Sequence, residues 1–337
     1  MKNSILLITM IFLSMIFIPI IAVASSSLLK PKEPNIENAS PSKIECCFNN
    51  NQKPATTKKQ DQNGVFKVLD NATNQIISID EEDFIILSVA TEMPPSFADE
   101  AIKAQAVAAY TYFCHLREES SNDYDFSVDS SKSNLYTTKE ALKEKWKDNF
   151  DTYYNKLESN VADVFGFKIK YNNETIVATY HAISGGNTEA SQDVFGGQRS
   201  YLVAVPSPGD LFAPNYQTAC EFTLEEFKSR LTEKWPEINL NDDPSSWITD
   251  IQRTESGMVK NIKIGSIDTN GIEIRNLFSL RSPNFDLKYE DNKFKFTVRG
   301  YGHGVGMSQY GAEYMAKQGA SYKEILLWYY PGTTIEN

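Results

Sequence analysis

The sequence predicts an α+β domain. Short apolar runs of strand length flank polar turns, while separate, longer stretches carry apolar residues at helical spacing. No internal repeat is present. Val65–Val68 and Ile76–Ile79 read as strands around an Asn/Thr/Asn turn. Asp80 is placed to cap a helix that carries Phe84, Ile85 and Leu87 toward Glu92, and Pro94-Pro95 stops it. A second helix is predicted from Ala98 to about Glu119, with Ala101, Gln105, Ala108 and Tyr112 on one stripe. Lys139 to Val164 reads as one polar helix buried through Leu142, Trp146, Phe150 and Leu157. Asn172-Asn173 marks a hairpin between 167–171 and 175–180. Helix 224–234 follows, then strands 285–289 and 293–298, and helices 308–317 and 322–330.

This single mixed domain spans 64–337, after two other segments. Residues 5–24 form an uncharged apolar run, and about 20 such residues span a bilayer core. The run reads as an anchor, with the lone Lys2 keeping the N-terminus inside and the domain outside. Ala22-Val23-Ala24 also resembles a signal-peptide cleavage site, so cleavage stays open. Residues 25–63, rich in Ser, Pro, Asn, Lys and Gln, have too few large apolar side chains to fold alone and read as a disordered linker.

The chain has 337 residues, 41% of them hydrophobic, enough to bury a core. Its net charge of -11, with no long basic run, argues against nucleic acid, because phosphate neutralisation needs clustered Lys and Arg. Cys46 and Cys47 lie in the linker, and Cys114 and Cys220 in the domain. No C-x-x-C spacing is present, and a Cys114–Cys220 bond or free thiols are both open.

Three histidines exist: His115, His181 and His303. His181 ends a strand and precedes Ser184-Gly185-Gly186; His303 lies among glycines, ahead of Gln309-Tyr310. Such loops permit close backbone approach, as active sites require and as plain turns also do. A serine hydrolase is disfavoured because G-x-S-x-G is absent, and a zinc hydrolase because no H-E-x-x-H or clustered His occurs. Glu92 stands where a helix ends against Met93-Pro94-Pro95 among apolar neighbours. A carboxyl in such surroundings keeps a proton to higher pH, as a general acid in glycoside cleavage must. A glutamate at a helix end is, on physical grounds alone, more often simply solvated.

Several blocks in order resemble the stage II sporulation protein D family: 86–94 (Ile-Leu-Ser-Val-Ala-Thr-Glu-Met-Pro), 100–112, His181–Glu189, 300–312 and Tyr329–Thr333. Together they span roughly 64–337. The resemblance implies a membrane-held lytic transglycosylase. Such an enzyme cuts peptidoglycan glycan strands stripped of stem peptides, leaving 1,6-anhydro-muramic ends, during engulfment of the forespore. It would act outside the cytoplasm, between the membranes of the sporangium. By this likeness Glu92 is the acid/base residue, and His181, Ser184, Gly185, Gly186, His303, Gln309 and Tyr310 line the sugar site. The wall amidase called stage II sporulation protein P is the implied partner. Glu100 opens a helix, where a carboxylate suits the dipole, and reads as structural. Tyr112, Trp328 and Tyr329 fit core packing better than sugar stacking. Some members hold a zinc partly through two cysteines six apart; Ser127 and Ser133 stand at those positions here, so no zinc, and no other cofactor, is expected. The alternatives are a non-catalytic enhancer of a wall amidase and a wall-binding tether.

Overall fold

The computed structural model describes residues 64–129 and 135–337. The expected anchor and linker, Cys46, Cys47 and Ser133 lie outside the described residues. Among the described residues no helix is long and apolar enough to cross a membrane.

The α+β class holds. Strands β1 (Val65–Asp70) and β2 (Gln75–Asp80) pair antiparallel, and β3 (Phe126–Val128, which contains Ser127) joins β1 in parallel. Helix α1 (Glu81–Glu92) starts at Asp80, whose side chain accepts from the N–H groups of Glu82 and Asp83. Phe84, Ile85, Ile86, Leu87, Val89 and Ala90 are all buried, so α1 is covered nearly all round. It ends at Glu92 because Met93 turns extended ahead of Pro94.

Helix α2 (Asp99–Glu119) is the hub of the larger core. The small side chains Ala101, Ala104 and Ala108 let neighbouring elements approach closely, and all three are fully buried. It packs on α1, on α4 (Phe150–Ala162) and on the two C-terminal helices, α8 (Gln309–Lys317) and α9 (Tyr322–Tyr329). Two carboxylates fasten helix starts across this contact. Glu313 accepts from the Ala98 N–H at 2.7 Å, and Glu100 accepts from the Tyr322 N–H at 2.7 Å. Glu100 therefore has the structural role expected of it. Tyr112 and Tyr329 are core residues, whereas Trp328 is 46% exposed and donates its indole N–H to Pro206 O.

Two expectations are corrected. The helix foreseen over 139–164 is broken into α3 (Lys139–Trp146) and α4, because Lys147 takes a left-handed φ of 48° and resets the axis. In the hairpin, Asn172 and Asn173 do adopt positive φ, but only Glu174–Thr175 (β5) pairs with β4 (Lys168–Tyr171). The chain beyond leaves that ladder. Tyr180–His181 (β6) instead pairs in parallel with Met307–Ser308 (β13).

Beyond the short helix α5 (Ser191–Val194), a second, smaller core lies within residues 227–298. It joins α6 (Leu224–Lys234) and α7 (Gly271–Phe278) to two three-stranded sheets. One sheet is β8 (Ile248–Arg253), β9 (Val259–Ile264) and β10 (Ile267–Thr269); the other is β7 (Gln217–Thr223), β11 (Phe285–Glu290) and β12 (Lys293–Arg299). Phe227 stacks on Phe294 at its centre. Cys114 is buried and Cys220 half-buried, both as free thiols.

The β6–β13 pairing requires Gly306. Its φ is +77°, and a Cβ there would stand 2.0 Å from the Thr179 carbonyl oxygen. Gly306→Ala is expected to lower unfolding stability by more than the roughly 1–2 kcal/mol of a left-handed non-glycine residue alone. An unchanged urea midpoint would contradict this.

Candidate active site

Glu92 is half-buried as a residue, yet its Oε1 is sealed from solvent and has no hydrogen-bond partner. Burial pushes its carboxyl up to about 8, opposed by the side-chain amide of Gln309. No cation contributes to that balance. The carbonyl end of α1, with its partial negative charge, also disfavours the ionised form. At neutral pH Glu92 is therefore mostly a protonated acid.

Behind it lies a set of buried polar groups. Ser88 precedes Glu92 by one helical turn, and the Tyr180 phenol is flanked by Ser88, Gln105 and Glu92. Gln309 Nε2 makes a long 3.4 Å bond to Gln105 Oε1. Ser88 Oγ, Gln105 Nε2 and Tyr180 OH are buried close to one another, but none makes a well-formed hydrogen bond. The site thus carries more hydrogen-bonding capacity than the fold consumes, a condition native interiors otherwise avoid.

Two loops meet beside this set, and their internal bonds are closed. The Val305 N–H donates to His303 Nδ1 at 3.0 Å, and His181 Nδ1–H donates to the Val305 carbonyl at 3.2 Å. One residue therefore fixes the two rings in opposite tautomers: His303 bears its proton on Nε2, and His181 leaves Nε2 bare. Both rings are buried. Burial lowers His181 to about 4 and His303 well below its usual value, so neither is charged near neutrality. Ser184 is also buried. Its N–H and hydroxyl both donate to Asp210 Oδ2, at 2.9 and 2.5 Å, while Ser308 Oγ donates to Oδ1 at 2.6 Å. Ser308 is at the same time the N-cap of α8. Asp210 thus pins the Ser184 loop to the helix that presents Gln309 and Tyr310. Gly186 N–H donates to Ser184 Oγ at 3.1 Å, and Gly185 O accepts from Tyr216 OH at 3.0 Å.

The outward side is aromatic and half-exposed. Tyr301 lies in the field of Glu92, and Tyr310 packs edge-on against Phe97 with ring centroids 5.0 Å apart. Arg281 caps the Tyr301 ring, its guanidinium carbon 4.2 Å from the centroid.

The structure brings Glu92 and Gln309 into contact and sets Tyr310 at the surface beside them. His181, His303 and Ser184, expected on the sugar-facing wall, are buried; Nδ1 of each ring and the Ser184 hydroxyl hold the loops, while Nε2 of both rings stays unpaired. The sequence alone singles out none of Asp210, Tyr180, Tyr301 and Arg281. Gln105 stands out in sequence only as part of a stripe, although a glutamine among alanines on a buried face is itself a signal of a polar site. Glu189 is a further residue without a sequence signal of its own. It is a second desolvated carboxyl, raised by burial to about 7, in a crevice with His303 and Gly304.

Fold and site together define an α+β protein with a desolvated acid, Glu92, beside a half-exposed aromatic surface. The profile of the family described as Stage II sporulation protein matches residues 69–171, which include Glu92. The chain is 35% identical over 274 residues to stage II sporulation protein D of Bacillus subtilis (strain 168), covering 78% of this chain and 76% of that protein. It is 33% identical over 268 residues to the protein of the same name from Bacillus amyloliquefaciens, with the same coverage of each. It is 28% identical over 306 residues to the amidase enhancer of Bacillus subtilis (strain 168), covering 73% of this chain and 39% of that protein. The chain belongs to the stage II sporulation protein D family.

The raised carboxyl has a stability consequence. Between the unfolded value of 4.5 and the folded value of about 8, the native state holds a proton that the unfolded state has lost, so stability falls as pH rises across that window. Glu92→Gln removes this dependence. The variant is expected to gain stability over the parent progressively from pH 5 to 8, by on the order of a few kcal/mol at the upper end, since each tenfold difference in proton affinity is worth about 1.4 kcal/mol. Denaturant midpoints at pH 5 and pH 9 that differ equally for the two proteins would rule it out.

Proposed function

We propose that this chain is a lytic transglycosylase that cleaves peptidoglycan glycan strands already stripped of stem peptides, during engulfment in sporulation. The observation that carries the proposal is the Glu92 carboxyl, held protonated near neutrality by burial, its Oε1 sealed from solvent and without a hydrogen bond. Glu92 gives its proton to the bridging oxygen as the bond to the muramic anomeric carbon breaks, and an oxocarbenium-like centre develops on that ring. The resulting carboxylate, still in surroundings that favour its neutral form, then takes the proton of the ring's own 6-hydroxyl. That oxygen closes on the anomeric carbon, leaving a 1,6-anhydro end and a protonated Glu92. No water is consumed, and the intramolecular nucleophile removes the need for the second carboxylate of ordinary glycosidases. Gln309 steadies the carboxyl while it is charged.

On this reading the domain works outside the cytoplasm, held at the membrane through residues 5–24, beside a wall amidase such as stage II sporulation protein P that strips the strands. The match to an amidase enhancer favours a second reading, in which the domain binds wall and stimulates an amidase without cleaving glycan.

Digestion of stripped strands by the parent protein and by Glu92→Gln, read by mass spectrometry, separates the two. Anhydro-muramic ends from the parent alone are expected, with a rate lost in the variant by a factor of about 100 or more. The parent rate should fall as pH rises through about 8, as the acid ionises. Equal products from both proteins would overturn the role of Glu92, and no products from either would favour the enhancer.

A further inference from the structure

Arg281 stands apart from the other arginines of the domain. Arg253 and Arg299 share Asp286, the buried Arg117 pairs with Glu81, and Arg199, Arg230 and Arg275 donate hydrogen bonds to Tyr201 OH, Leu277 O and Leu280 O. Arg281 is half-buried, with its Nε sealed from solvent and unpartnered, and among the described residues its guanidinium makes neither a hydrogen bond nor an ion pair. Its one contact of note is the face of Tyr301. This occurs in a chain where 44 acidic residues outnumber 33 basic ones, so a partner could readily have been supplied. Arginine stays ionised throughout the pH range of proteins. A partly desolvated cation left without an anion is an unfavourable arrangement unless the anion arrives with a ligand.

Its position identifies the ligand's neighbourhood. The Arg281 carbonyl accepts from the Gly302 N–H at 2.9 Å, which ties it to the 300–306 loop. Tyr301 lies within the fields of both Glu92 and Arg281, and Arg281 is also within the field of Tyr310, next in sequence to Gln309. Tyr301 thus feels both the acid and Arg281, with Arg275 contributing as well. A stripped strand carries one kind of ionised group, the carboxylate of the lactyl ether on C3 of each muramic ring, two ring atoms from the anomeric carbon. On a peptide-bearing strand that carboxyl is an amide, with no charge to offer.

We propose that Arg281 is a specificity-determining residue that pairs with the free lactyl carboxylate of the muramic ring at Glu92, and so selects stripped strands. The proposal rests on the transglycosylase reading for the identity of the ligand. The planar guanidinium, over the face of Tyr301, presents paired N–H groups to a carboxylate in the geometry that lysine lacks. Preference for stripped strands then follows from two causes: the missing charge of the amide and the bulk of the peptide beyond it.

The test uses binding as well as turnover, so that it does not depend on cleavage. Stripped strands are prepared with lactyl carboxylates free or capped as methylamides, and affinity is measured on Glu92→Gln with and without Arg281→Gln. Capping is expected to weaken binding to Glu92→Gln by on the order of 10- to 100-fold, and to make little difference once Arg281 is also replaced. In the otherwise unaltered protein, Arg281→Gln should raise KM for free strands by a similar factor with a smaller change in kcat, and Arg281→Lys should restore part of the loss. Capped strands bound and cleaved by the parent as well as free ones would overturn the proposal without need of any variant. A preference that persists in Arg281→Gln would overturn it equally. Carboxylate-dependent binding with no cleavage would sustain Arg281 while refuting the transglycosylase, and cleavage indifferent to capping would do the reverse.

Discussion

A carboxyl that has lost its water and gained no cation is the constraint on which the rest of this structure depends. Glu92 closes a helix buried on nearly every side, and the extended Met93 followed by Pro94 prevents that helix from carrying the side chain out into solvent. Its Oε1 remains unpartnered, and one amide, Gln309, works against the resulting shift. Proteins tolerate such groups where function requires a proton held at a pH that an ordinary glutamate could not reach. The alanine-rich face of α2 sustains the arrangement, because it lets α1, α8 and α9 converge on one helix and so brings residues far apart in sequence to one acid.

The surrounding polar groups divide into those that are closed and those that are open. Asp210 gathers Ser184 and Ser308, while Val305 fixes both histidine tautomers. These bonds are buried and satisfied on the side facing the loops, and they hold the backbone rather than reach for a ligand. Ser88, Gln105 and Tyr180, by contrast, retain unpaired atoms on the Glu92 side, and Arg281 retains an unpaired charge next to Tyr301. On the loop side, Nε2 of His181 and His303 and Oε2 of Glu189 are unpaired as well. Arg281 follows closely on α7, so the stretch that carries the smaller core also supplies a cation over the Tyr301 ring.

Local chemistry makes most of the framework legible in the sequence. Asp80 and the Pro94-Pro95 pair bracket α1, the Asn172-Asn173 turn lies where positive φ is needed, and helix 224–234 has the limits its capping residues suggest. Glu92 is legible because its neighbours in sequence are also its neighbours in space. The misreadings share the opposite cause. Nothing local announces that β6 would leave its hairpin for β13, or that Lys147 would turn left-handed and split a helix. His181 and Ser184 carry side chains that suit ligand contact as well as loop-holding, and only the fold shows that they also tie down Val305 and Asp210. Arg281, in a run without any motif, acquires meaning solely from the absence of an acidic partner, which is a property of the fold.

The account stands or falls on the protonation state of one group. A titration of the Glu92 carboxyl by carbon NMR on glutamate-labelled protein, with Glu92→Gln used to assign the resonance, measures it directly. A midpoint near 8 is the expected result. A midpoint near 4.5, the value of a solvated glutamate, would mean that water or a cation reaches Oε1 and that Glu92 is not held as an acid at neutral pH.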